Sequence, residues 1–242
     1  MKERRKRMSD KLSRRKLLGA VGAAVAIDAA ANTVYAGPRP KPDNIRIIGI
    51  ACSPRKGKTT AASLQVCLKA AAAVDPRIEV ELIELAGMKI EGSLAAGLPL
   101  ESDQKDDFPK LVPKLSDPAV GGIIVGTPVY FGNMTSLCKA FLDRCIDFRK
   151  NNFALSNKVA GVLAVGGVRN GGQELTIQSI QAALLCQEMI VVGDGRPTAH
   201  IGATVWNNGK GDVTSDEFGM TTARNLGRRV AEVALQIATI AK

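Results

Sequence analysis

The sequence predicts an α/β domain in which five parallel strands form one doubly wound sheet. Three observations predict it. Short apolar runs rich in Val and Ile recur along the chain, as strands covered on both faces require. Ala- and Leu-rich segments of helical spacing alternate with them. The turns that leave three of the runs concentrate Gly, Pro and small polar residues, at the strand ends where such sheets hold their ligands.

Taken in order, Pro38, Pro40 and Pro42 make residues 37–44 an extended lead-in, and 45–52 (IRIIGIAC) reads as the first buried strand. Residues 59–73 read as a helix, and 79–85 (EVELIEL) alternates as a strand. Segment 86–104 is irregular, Gly-rich and interrupted by Pro99, and it is longer than most α/β connections. A short helix is expected at about 105–115, a buried strand at 120–125, and a helix over 133–148 starting at Asn133 or Thr135. Another buried strand follows at 158–165, a helix at 172–187 and a short strand at 189–192. A last helix is expected at about 215–240, where Val230, Val233, Ala234 and Ile237 recur at helical spacing.

Composition narrows the class. Hydrophobic residues make up 45% and charged residues 23% of 242, which excludes a disordered chain, a collagen-like fibre and a polytopic membrane protein. A net charge of +10 would suit a nucleic-acid partner, but +6 of it lies in residues 1–36. The remaining +4 forms no basic stripe, and aromatic residues are only 4%, so nucleic acid is excluded as the main partner. The first 36 residues read as an address: a basic stretch, the sequence Ser13-Arg14-Arg15-Lys16-Leu17-Leu18, an apolar run over 17–27, and Val34-Tyr35-Ala36. Eleven apolar residues cannot cross about 30 Å of hydrocarbon. The order of features resembles a twin-arginine export signal, cleaved after Ala36. A periplasmic location and no lasting membrane span are expected, with residues 45–242 crossing the membrane already folded around a cofactor.

The five cysteines (Cys52, Cys67, Cys138, Cys145 and Cys186) contain no CxxC pair and are expected to be buried small apolar groups, so no metal site is expected. Cys138 and Cys145 share a helix face, yet two turns separate their Cα atoms by about 10 Å, too far for a disulfide.

The chemistry is expected in the three turns. Ser53-Pro54-Arg55-Lys56-Gly57-Lys58-Thr59-Thr60 brings hydroxyls, cations and free N–H groups to a helix start, which favours a phosphate. The same stretch nearly matches a nucleotide P-loop, but Cys52 stands where that loop needs its first Gly. The third strand also runs into Gly126-Thr127-Pro128 rather than the Asp that would hold Mg²⁺. The second turn, 126–135 (GTPVYFGNMT), offers backbone donors and the aromatics Tyr130 and Phe131 to a flat heterocycle. The third, 166–174 (GGVRNGGQE), has four glycines that allow close backbone approach. No proton-transfer residue stands out. His200, the only histidine, is expected to be structural, near the last strand.

Together the loops at 53–60 and 126–132, the KAFLDR run at 139–144 and the loop at 166–174 resemble those of the flavodoxin-fold NAD(P)H-dependent FMN reductases, most like the iron–sulfur flavoprotein branch. The resemblance spans residues 45–240. It implies a flavodoxin-like strand order 2-1-3-4-5 and FMN as cofactor. Ser53, Arg55, Lys58, Thr59 and Thr60 would hold the phosphate. Pro128, Val129, Tyr130, Phe131, Gly132 and Asn133 would line the isoalloxazine, with Gly167, Arg169, Gly171 and Gly172 near its far edge. It further implies NAD(P)H or a quinone-like molecule as partner and self-association into homo-oligomers. Export raises a second reading, a non-enzymatic electron carrier reduced by a redox protein, because reduced nicotinamides are scarce outside the cytoplasm. A third is a flavin-binding protein without activity. Members of the iron–sulfur branch carry a compact cysteine motif ahead of the short helix; residues 85–107 contain no cysteine. A [4Fe–4S] cluster needs four thiolates held close together, so flavin alone is expected. Cys52, where relatives usually have Gly, is expected to alter the phosphate loop slightly.

Overall fold

Strand β1 (Ile45–Ala51) is apolar at every position but Arg46, and in the computed structural model, which describes residues 44–240, it lies inside the sheet. The expected export leader, residues 1–36, and the lead-in up to residue 43 lie outside the described residues. Strand β2 (Ile78–Glu84) pairs with one side of β1 and β3 (Val120–Pro128) with the other; β4 (Val159–Gly166) pairs with β3, and every pairing is parallel. The order is β2-β1-β3-β4-β5, as expected, with β5 the pair Ile190–Val191.

One strand was not foreseen. Strand β6 (Ala203–Trp206) lies on the same edge of β4 as β5: Ile190 and Val191 pair with Val159 and Ala160, whereas Ala203 to Trp206 pair with Leu163 to Gly166. The fifth place in the sheet is thus shared by two short parallel segments, and residues 192–202 leave the sheet between them. Four residues are too few for periodicity to reveal, and the preceding GDGRPTAHIG reads as pure loop.

Alternation along the strands divides the core in two. Ile45 and Ile47 face helix α1 (Thr59–Ala72) and the C-terminal helix Glu217–Ile240, meeting Leu64, Leu68, Leu226 and Val230. Ile48 and Ile50 face the other layer, made by α2 (Val112–Ser116), α3 (Ser136–Arg144), α4 (Ile146–Lys150) and α5 (Gln173–Leu185), with Phe108, Phe141, Phe148 and Ile177 at its centre. The C-terminal helix is α6. It meets α1 at Gly227, where a Cβ would collide with the Cys67 carbonyl.

Two helices differ from expectation. The one at about 105–115 is a 3₁₀ turn, Phe108–Lys110, followed by the short α2, each with a proline in its first turn. The helix over 133–148 starts later, because Thr135 is its cap: the Thr135 hydroxyl accepts the Cys138 N–H at 3.1 Å. It then breaks at Cys145 into α3 and α4. Arg144 ties the irregular segment down from that break. Its nearly buried guanidinium donates to Asp106 at 2.7 Å and Asp147 at 3.0 Å, reaches the Glu91 carbonyl, and lies over the Phe108 ring. Among the described residues no helix is long and apolar enough to cross a membrane.

Candidate functional site

Because β1, β3 and β4 are parallel neighbours, their C-terminal ends bring the three expected loops together. Backbone and hydroxyl bonds lock them. Cys52 N–H donates to the Gly126 carbonyl at 2.8 Å, the Thr135 hydroxyl donates to the Cys52 carbonyl at 2.7 Å, and Val129 N–H donates to Val165 at 2.9 Å.

The first loop leads into α1 without a side-chain cap; Lys58 occupies the cap position in extended conformation. Ser53, buried, is engaged within the loop, its hydroxyl accepting the Arg55 N–H at 3.1 Å. Among the described residues, the first-turn N–H groups of Thr59, Thr60 and Ala61 meet no acceptor, and the hydroxyls of the buried Thr59 and Thr60 make no hydrogen bond. Arg55, Lys56 and Lys58 are exposed and form no ion pair among the described residues. Donors without acceptors at a positive helix end, ringed by free cations, suit a dianionic phosphate. Gly57, at the tip, has φ +63° and donates its N–H to the Glu84 carboxylate at 2.6 Å. Cys52 stands at the base of this loop. Its side chain packs into the core below the loop, and burial, with Cys138 beside it, pushes its thiol well up.

The second loop turns back on itself. Tyr130 and Asn133 exchange backbone hydrogen bonds at 2.8 and 3.0 Å around Phe131 and Gly132, whose φ angles are +52° and +73°. Positive φ at both central residues is the mark of a type I′ turn, and a phenylalanine there is strained. Pro128 is buried, whereas Tyr130 is exposed and Phe131 fully so. In the third loop Gly172, at φ +94°, sits against Gly132; a Cβ on it would lie 2.9 Å from the Gly132 Cα. The second and third loops therefore touch through two glycines.

Sequence reasoning missed four residues here. Gln173, buried, accepts the Gly171 N–H at 2.8 Å and donates to the Val168 carbonyl at 2.7 Å, so it shapes the loop that holds Gly167 and Arg169. Its place beside two glycines was the available signal. Asp216, wholly buried, accepts the N–H of Trp206 at 2.8 Å and of Gly219 at 2.9 Å, and also pairs with Arg169. Arg169 lies over the Trp206 ring, 5.1 Å away, so its guanidinium is engaged by Asp216 and Trp206. Glu84 is the fourth. No local pattern could reveal these long-range partners. His200 lies in the excursion between β5 and β6, half exposed, with Nδ1 3.4 Å from the buried Asp194 and its ring edge-on to Phe218.

A doubly wound sheet with donor-rich loops at adjacent strand ends defines a phosphate-bearing cofactor site of the flavodoxin type. The sequence profile of the NADPH-dependent FMN reductase family matches residues 45–204, and the chain belongs to that family. An iron–sulfur flavoprotein of Methanocaldococcus jannaschii is 41% identical over 192 residues, covering 78% of this chain and 97% of that protein. An NAD(P)H dehydrogenase (quinone) of Acidithiobacillus ferrooxidans is 34% identical over 128 residues, 48% of this chain and 64% of that one. A flavodoxin, WrbA-like protein from Agrobacterium tumefaciens has the same fold, with a TM-score of 0.56 at 20% identity, over 80% of this chain and 99% of the other.

The residues present suit FMN but not an iron–sulfur cluster. Segment 85–107 has no cysteine, and among the described residues no three His, Cys, Asp or Glu side chains are grouped to hold a metal. Cys67 and Cys145 are buried in the core, and burial pushes the Cys67 thiol up to about 12 and the Cys145 thiol up as well.

Proposed function

We propose that this chain is an FMN-dependent NAD(P)H oxidoreductase that works in the periplasm, exported folded with its flavin bound. The observation that carries the flavin reading is the loop 53–60, where, among the described residues, three amide donors and the hydroxyls of Thr59 and Thr60 have no acceptor beside three cations that form no ion pair. Ser53, by closing the loop, and Arg55, Lys58, Thr59 and Thr60, by charge and hydrogen bonding, would hold the phosphate. Pro128 to Asn133 would form one wall of the ring site, and Gly132 against Gly172 lets the backbone of both loops approach it. When bound, FMN supplies the electron-transfer chemistry. The chain's part is to fix the ring by its phosphate and to leave Tyr130 and Phe131 exposed at the rim, where a planar nicotinamide or quinone can pack.

The leader sequence favours one other reading, a carrier reduced by a redox protein. Mixing the FMN-loaded protein with NADH or NADPH under anaerobic conditions separates the two. Rapid bleaching of the flavin absorbance is the expected result; bleaching only by a redox protein would make the chain a carrier.

A further inference from the structure

Glu84 ends β2 beside Ala51, the last residue of β1, and its carboxylate accepts the Gly57 N–H at 2.6 Å. That places a negative charge at the tip of a loop otherwise built for an anion. It also occupies the amide donor at the loop tip, two residues before that of Thr59 at the start of the helix. In backbone anion cradles, successive N–H groups share a ligand's phosphate oxygens, and a diphosphate draws on more of them than a monophosphate does.

We infer that Glu84 restricts this loop to a single terminal phosphoryl group, so that the protein takes FMN and refuses FAD and nucleoside diphosphates. Glu84 fills the donor a second phosphate would need and adds a like charge beside it. The inference rests on the flavin-phosphate reading above and deepens it. It also gives a reason why a G-K-T sequence at Gly57, Lys58 and Thr59 does not make a nucleotide loop.

The test is titration of the flavin-free full chain with FMN, FAD and riboflavin, read by quenching of flavin fluorescence, with ADP as a competitor. Glu84→Gln keeps an acceptor for the Gly57 N–H but loses the charge. It should tighten FMN less than FAD and ADP, so that the FAD-to-FMN affinity ratio rises about fivefold, an effect that shrinks as salt is raised. Glu84→Ala also loses the acceptor, so it should weaken FMN several-fold while FAD is held no less well than by wild type. Riboflavin, without phosphate, should bind all three proteins alike. An FAD-to-FMN affinity ratio unchanged in both variants overturns the inference, as does an equal loss of all three flavins. If wild type binds no FMN, the flavin reading itself fails and the inference falls with it.

Discussion

Thr60 shows at a single residue what the site demands. It is almost wholly buried, yet neither its hydroxyl nor its N–H finds an acceptor among the described residues. A donor at a helix start with no protein acceptor is open to one that a ligand supplies. Charge-assisted hydrogen bonds contribute roughly 1.5–3 kcal/mol each. Replacing Ser53 and Thr60 together by Ala should therefore weaken FMN binding at least about tenfold in a fluorescence titration. The two residues fail for different reasons: Thr60 loses a donor to the phosphate, whereas Ser53 loses the hydroxyl that holds the Arg55 N–H and closes the loop. Riboflavin should bind poorly to wild type and lose little more in the double mutant. Lys110, exposed and paired with Asp107 at 2.5 Å, is the control; Lys110→Ala should leave the affinity unchanged. The residue types were readable from the sequence because a helix start rich in hydroxyls and cations has few other uses. That Ser53 serves the loop and that Cys52 faces the core were not, because side-chain direction depends on partners far along the chain.

Helices and strands were readable where periodicity runs long and were lost where it is short or where tertiary contacts decide. β1, β3 and β4 are apolar runs bounded by Gly and Pro, and α6 repeats apolar residues over many turns. β6 has four residues, and the break at Cys145 sits beside Arg144, which reaches back to Asp106, a contact no local pattern encodes. The tightest joint between elements is that of α1 and α6 at Gly227. A methyl group there would meet the Cys67 backbone, which cannot turn aside as a flexible side chain could. Gly227→Ala should destabilise the domain by about 3 kcal/mol. Its denaturant midpoint should fall with an unchanged slope, and at low denaturant FMN should still bind, since the strand-end loops lie elsewhere.

At the scale of the whole chain the proposed export leader stands apart from the family domain. Residues 1–36 carry most of the net positive charge, and the family match begins at residue 45. If the leader works as proposed, the protein recovered from the periplasm begins at Gly37, and intact mass spectrometry reads this directly. Replacing Arg14 and Arg15 with Lys should leave the full-length chain, FMN included, in the cytoplasm. A full-length N-terminus on periplasmic protein would refute cleavage. Fold and ligand class could be read from the sequence because three loops pointed to one cofactor; Glu84 could not, being separated from Gly57 by a whole helix and strand.

The divided fifth position of the sheet bears on how an open sheet escapes strand-by-strand aggregation. An open sheet ends in rows of unpaired N–H and C=O groups, and a long row is a template on which another molecule's strand can grow. Here one border is only two residues and then four residues long, with the chain departing between them. The opposite border, β2, carries Glu79, Glu81 and Glu84, the first two paired with Arg46 and Lys114, so a second β2 would meet charged side chains. Neither side offers a flat, uncharged run for aggregation to copy. A domain that folds in one compartment and waits there, complete, for passage to another would gain most from borders of this kind.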